Sequence, residues 1–108
     1  PINRYQAIQI KLAEMATELE AATTLVYRAA WLRDAGKPHH KEAAMAKLFS
    51  SQVANRVCSV CVELFGGYGY SREYPVEKFF RDAKILQIYA GTDEMQVVAI
   101  AKDLLGRA

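Results

Sequence analysis

The chain has 108 residues, 52% of them apolar and 24% charged, with a formal net charge of +2. That length suits one small domain with a single core, and the composition is ordinary for a soluble globular protein. The small charge gives no footprint for nucleic acid or an anionic membrane surface, no run is long enough to span a bilayer, and the first residues lack a signal-peptide pattern.

Ile2 to Ala35 forms one helical pattern with no internal glycine or proline. Ile8, Leu12, Met15, Leu19, Ala22, Val26 and Ala29 recur four and three residues apart, which predicts a stripe packed on a neighbouring helix at a shallow angle. Lys11, Glu14, Glu18 and Arg28 are expected on the opposite face. The pattern opens directly at Pro1, so the expectation is a domain cut from a longer chain, or a later segment of one. Gly36-Lys37-Pro38 ends the helix, glycine for a left-handed terminal position and proline to prevent continuation.

A second helix is predicted from Pro38–Lys41 to about Phe65. Phe49, Val53, Val57, Val60 and Leu64 form one stripe, and Ala54, Cys58, Cys61 and Phe65 an adjacent one. So wide an apolar surface implies partners on two sides. The C-x-x-C spacing of Cys58 and Cys61 invites a metal or redox reading. A zinc site needs two more ligands, and only His39 and His40 are at hand, far along the same helix. A thioredoxin-like motif wants a preceding strand. The two thiols therefore read as small core residues in a reducing compartment, and no metal is expected.

Gly66-Gly67-Tyr68-Gly69-Tyr70 is the one glycine cluster, expected as a loop that ends the second helix and lets backbone approach a ligand or subunit surface. It is no dinucleotide fingerprint, since no strand precedes it. Tyr74-Pro75 starts a third helix, proline at or near its first position, predicted to end at Tyr89 and Ala90. A fourth runs from Thr92 to Leu105 and is closed by Gly106. Without strand signals, four helices on short connections predict an all-α four-helix bundle.

The corner between the last two helices carries the most chemistry. Gly91 supplies the break and Thr92 the N-cap, with Asp93 and Glu94 in the positive first turn. The result is a tight turn with exposed amides, which local physics alone does not distinguish from a plain interhelical connection.

The segment RDAKILQIYAGTDEMQ around this corner resembles the C-terminal signature of the acyl-CoA dehydrogenases, usually RDAK, a few residues, IYEGT, two residues and IQ. GGYGYSREYPVEKFFRDAK and YQAIQIKLAEMATELEAA extend the likeness over nearly the whole chain. The resemblance implies the C-terminal four-helix domain, residues 1–108, of a larger FAD-dependent oxidoreductase of fatty acid or branched-chain amino acid degradation. Such enzymes convert an acyl-CoA to the trans-2-enoyl-CoA and pass electrons to an electron-transferring flavoprotein. It further implies a homo-oligomer, dimer or tetramer, in a bacterial cytoplasm or a mitochondrial matrix.

Site residues follow from the same resemblance. The glutamate that usually precedes Gly91-Thr92 is Ala90 here, so no catalytic base is assigned in this chain. Isovaleryl-type and long-chain-type members carry alanine or glycine at that slot and take the base from an earlier helix, which would lie upstream of Pro1. A silencing substitution, or an inactive subunit serving as a helical oligomerisation module, are the alternatives. Glu94 lies about one turn further on and reads as a first-turn carboxylate. Gln6, Glu63, Gly66, Gly67, Thr92, Asp93 and Glu94 fall at flavin-contacting positions; Glu63 stands where glutamine is usual and would repel a phosphate. Gly91 and Tyr89 fall on the substrate side, Tyr89 equally readable as a core aromatic at a helix end.

Overall fold

The computed structural model describes residues 1–106. A 3-10 turn at Ile2–Arg4 leads through extended Tyr5 into α1, Gln6–Asp34, so the first helix starts four residues later than its pattern suggested. Its end follows the expected chemistry. Gly36 takes φ 69°, Lys37 N–H donates to the Leu32 carbonyl at 2.9 Å, and Gly36 N–H to that of Arg33 at 3.0 Å. This is the paired bonding of a Schellman cap.

Helix α2, His40–Phe65, lies at the centre; α1 packs along one side of it and α4, Val76–Lys84, and α5, Asp93–Leu105, along another. The all-α bundle expected from sequence is the architecture found. Val53, 1% exposed, is the most enclosed side chain, and Met15, Ala22, Leu32, Ala44, Ala46, Val76 and Ala83 are the other buried apolar residues. Arg56 Nε donates to Glu18 Oε2 at 2.9 Å, tying α2 to α1. That places Glu18 at the interface of the two helices, not on the outer face expected for it.

Three further expectations are corrected. The glycine cluster is not a plain loop: Gly67–Tyr70 winds one α-helical turn, α3, against the end of α2. Gly69 permits this, because a Cβ there would meet the Val62 carbonyl and sit 2.8 Å from Phe65 Cβ. The third helix does not run on to Tyr89; it stops at Lys84 and tightens into a 3-10 turn at Ile85–Gln87. The stripe of α1 is covered only in part. Met15 and Ala22 are buried, but Leu12, Leu19 and Val26 remain 44%, 46% and 45% exposed. Among the long helices α1 packs on α2 alone, so residues one step round the helix are only partly covered.

The surface reflects this openness. The chain exposes 7973 Å² and has a radius of gyration of 16.7 Å. A compact monomer of this mass would expose about 6000 Å² with a radius near ~13 Å. Among the described residues no helix is long and apolar enough to cross a membrane.

Candidate functional site

The corner between α4 and α5 is assembled from three different breaks. After the 3-10 turn, Ala90 takes φ 54°, the single non-glycine residue with positive φ among the described residues, and Gly91 follows at 88°. The left-handed region costs an alanine roughly 1–2 kcal/mol, so the surroundings must hold it there. Thr92 then caps α5 as its sequence predicts: its Oγ1 accepts from Met95 N–H at 3.2 Å. Asp93 and Glu94 occupy the first turn, and Gln96 Nε2 donates back to the Gly91 carbonyl at 3.3 Å.

Three polar side chains of α2 reach this corner, none assigned to the site by sequence reasoning. Lys47 Nζ donates to the Leu86 carbonyl at 2.6 Å and lies 3.6 Å from Asp93 Oδ1. Ser51 Oγ donates to Asp93 Oδ1 at 2.7 Å, and Asn55 Nδ2 to the Ala83 carbonyl at 2.8 Å. The available signal was their spacing: polar residues four apart share one face of a helix that is otherwise largely apolar.

Beside the corner lies an open groove of 540 Å³, floored by Lys47, Ser50 and Ala54 of α2 and edged by Val26 of α1 and by Leu86, Tyr89 and Ala90. It continues into a smaller cavity against Leu19, Ala22 and Thr23 of α1. The Ser50 hydroxyl is buried in this region with no hydrogen-bond partner among the described residues. Leaving such a group unpaired costs about 1–3 kcal/mol.

The sequence-derived site residues fall into two groups. Tyr89, Ala90, Gly91, Thr92, Asp93 and Glu94 are contiguous at the corner, level with Lys47 and Ser51. Gln6, Glu63, Gly66 and Gly67 lie toward the opposite end, where the start of α1 meets the end of α2. The two levels are about 24 Å apart along α2, counted over the sixteen residues from Lys47 to Glu63. Asp93 turns inward onto Ser51 and Lys47, so its charge is met within the chain and Glu94 is the acid left facing outward.

A flavin dinucleotide is compatible with these surfaces. Gly66 and Gly67 are exposed, and a Cβ built on either meets nothing within 4 Å, which leaves their backbone open to close approach. Next to them Tyr74 packs edge-on to Tyr68 at 5.6 Å, and Phe65 lies 6.0 Å from Tyr74. Among the described residues no three His, Cys, Asp or Glu side chains gather to hold a metal. Cys58 and Cys61 are free and half-buried; burial, and then the neighbouring Cys61, raises the Cys58 thiol above its ordinary value.

Residues 1–105 match the family described as acyl-CoA dehydrogenase, C-terminal domain. The chain is 56% identical to the benzylmalonyl-CoA dehydrogenase of Aromatoleum aromaticum over 104 residues, 96% of this chain and 28% of that protein. The solved butyryl-CoA dehydrogenase of Megasphaera elsdenii superposes with a TM-score of 0.95 at 50% identity, over 97% of this chain and 27% of that one. The FAD complex of PigA superposes at 0.93 and 27% identity, over 99% and 28%. Further relatives are named as bacterial and mitochondrial acyl-CoA dehydrogenases. The chain thus spans little more than a quarter of the length of the relatives it matches.

Proposed function

The chain belongs to the acyl-CoA dehydrogenase family, matching its C-terminal domain, and we propose that residues 1–108 form that domain in a longer FAD-dependent enzyme. That enzyme dehydrogenates an acyl-CoA thioester to the trans-2-enoyl-CoA and delivers electrons to an electron-transferring flavoprotein. The carrying observation is the corner: Gly91 and the capped Thr92 keep a defined turn beside a groove, although the usual glutamate is Ala90.

FAD, when bound, accepts the hydride from the β-carbon. The chain's own residues position and exclude. Gly91 presents no side chain where the thioester must approach, and Tyr89 walls the acyl side. Thr92 and the exposed amides before it offer hydrogen bonds to the flavin side of the corner. Gly66 and Gly67, with Glu63, serve the adenosine part of a flavin held by a neighbouring subunit, and Gln6 is a further flavin contact.

Ala90 accepts no proton, so the α-proton goes to a carboxylate carried by a helix upstream of Pro1. The open groove supports this. Leu12, Leu19 and Val26 lie seven residues apart on the uncovered side of α1, the spacing that another helix covers. Such a helix would run past Tyr89 and Ala90. The absence of a base at Ala90 favours a second reading, an inactive subunit that serves assembly.

The full-length protein should purify with bound FAD and reduce an artificial acceptor with an acyl-CoA, whereas residues 1–108 alone should show no stoichiometric FAD binding by calorimetry. A full-length protein inert toward every acyl-CoA tried would remove the enzymatic reading. In either case the isolated chain should self-associate, because its total accessible surface exceeds that of a compact monomer by about 2000 Å² and includes the half-exposed Leu12, Leu19 and Val26. A well-behaved monomer by light scattering at high concentration would contradict this.

A further inference from the structure

The dehydrogenase reading leaves unexplained how an alanine is held in the left-handed region at the point where substrate must meet the chain. We infer that Lys47 is a positioning residue for the corner, with Ser51 and Asn55 as its supports: the three form a ladder from α2 that fixes where Tyr89, Ala90 and Gly91 stand. The inference rests on the function proposed above.

The ladder has one rung per helical turn. Asn55 takes the Ala83 carbonyl near the end of α4, Lys47 takes the Leu86 carbonyl in the 3-10 turn, and Ser51 takes Asp93 at the start of α5. Carbonyls at a helix end lack intrahelical partners. These bonds give the Leu86 carbonyl a donor from outside, add a second donor to the Ala83 carbonyl beside the cap N–H of α4, and fix the segment on both flanks of Ala90. Lys47 is the key rung. It joins both flanks, since its ammonium bonds Leu86 and also lies 3.6 Å from Asp93, and its side chain is mostly buried at 23% exposure. A charge-assisted bond of this kind is about twice as strong as a neutral one. Its stem also lines the groove that Ala90 and Tyr89 edge. Misplacing a substrate-facing segment by ~1 Å can cost on the order of 100-fold in rate. Of the three rungs only Asn55 joins α2 to α4; Lys47 and Ser51 bond the segment beyond α4 and the start of α5, and none bonds α1.

The test uses the full-length protein. Lys47→Met keeps the length of the side chain and removes its donors. It should lower kcat roughly tenfold or more, change KM for the acyl-CoA by less than about threefold, and leave FAD content intact. Lys47→Arg should recover part of kcat. Ser51→Ala, a milder change, should show the same kcat-selective pattern at smaller size and serves if Lys47→Met does not fold. Amide hydrogen exchange at residues 88–92 should speed up in either variant while the α1–α2 core stays protected. Wild-type kcat in both variants, a loss that only tracks the fraction of FAD-loaded protein, or unchanged exchange at 88–92 would each overturn the inference. An inert parent enzyme would remove the dehydrogenase reading instead, and the exchange measurement still decides the role of Lys47.

Discussion

Replacing the carboxylate of the upstream helix with its amide should cut turnover of the full-length enzyme by roughly 10²–10⁴-fold, the usual contribution of a positioned general base. Ala90→Glu in that background should then restore part of the rate. The backbone argument makes the second half of this prediction strict. Ala90 already carries a Cβ at φ 54°, so glutamate adds no new left-handed strain, and the residue is exposed beside a groove with room for a longer side chain. The variant should fold as the parent does and differ in where a proton can go. Steady-state turnover of an acyl-CoA with an artificial acceptor is the measurement. If the parent is inert and Ala90→Glu alone switches it on, the upstream base is wrong and Ala90 is a disabling substitution. If neither turns over but both hold FAD, the assembly-subunit reading gains.

Gly69→Ala should be the most damaging single methyl addition in the chain. Gly69 is buried, and its new Cβ would press on the Val62 carbonyl and on Phe65 Cβ at 2.8 Å. Neither can swing aside, because one is helix backbone and the other is the root of a side chain. Overpacking of this kind costs about 1–3 kcal/mol. It would lift α3 away from α2 and disturb the backbone of Gly66 and Gly67, so the full-length protein should lose FAD as well as stability. Gly67→Ala is the control, since a Cβ there meets nothing within 4 Å. Equal melting temperatures and equal FAD content for the two variants would show that the close seat of α3 on α2 does not shape that end of the molecule.

What could be read from sequence was whatever is decided within one element. The 3.6-residue periodicity located α1, α2 and α5, and local chemistry placed their ends at Gly36 and Thr92. What could not be read was decided between elements. Ile85 to Tyr89 contains no glycine or proline, so nothing local halts the helix that began at Val76. It tightens where Lys47 and Asn55 reach across from α2 to its carbonyls. Gly67–Tyr70 looked like a loop because two of its four residues are glycine and a third precedes it, yet packing against the end of α2 outweighs that propensity. Leu12, Leu19 and Val26 have the spacing of core residues, but periodicity reports which face is apolar and not whether a neighbour arrives. At the site, the position of Ala90 was legible. The inward turn of Asp93 was not, since it depends on Ser51, forty-two positions away in the chain.

The left-handed turn at Ala90 has its supports elsewhere, in bonds at Ala83, Leu86, Asp93 and the Thr92 cap, and none of them involves the side chain of residue 90. Shape and reactivity at this point thus rest on different groups. A lineage can exchange a carboxylate for a methyl group here, or the reverse, without redesigning the joint.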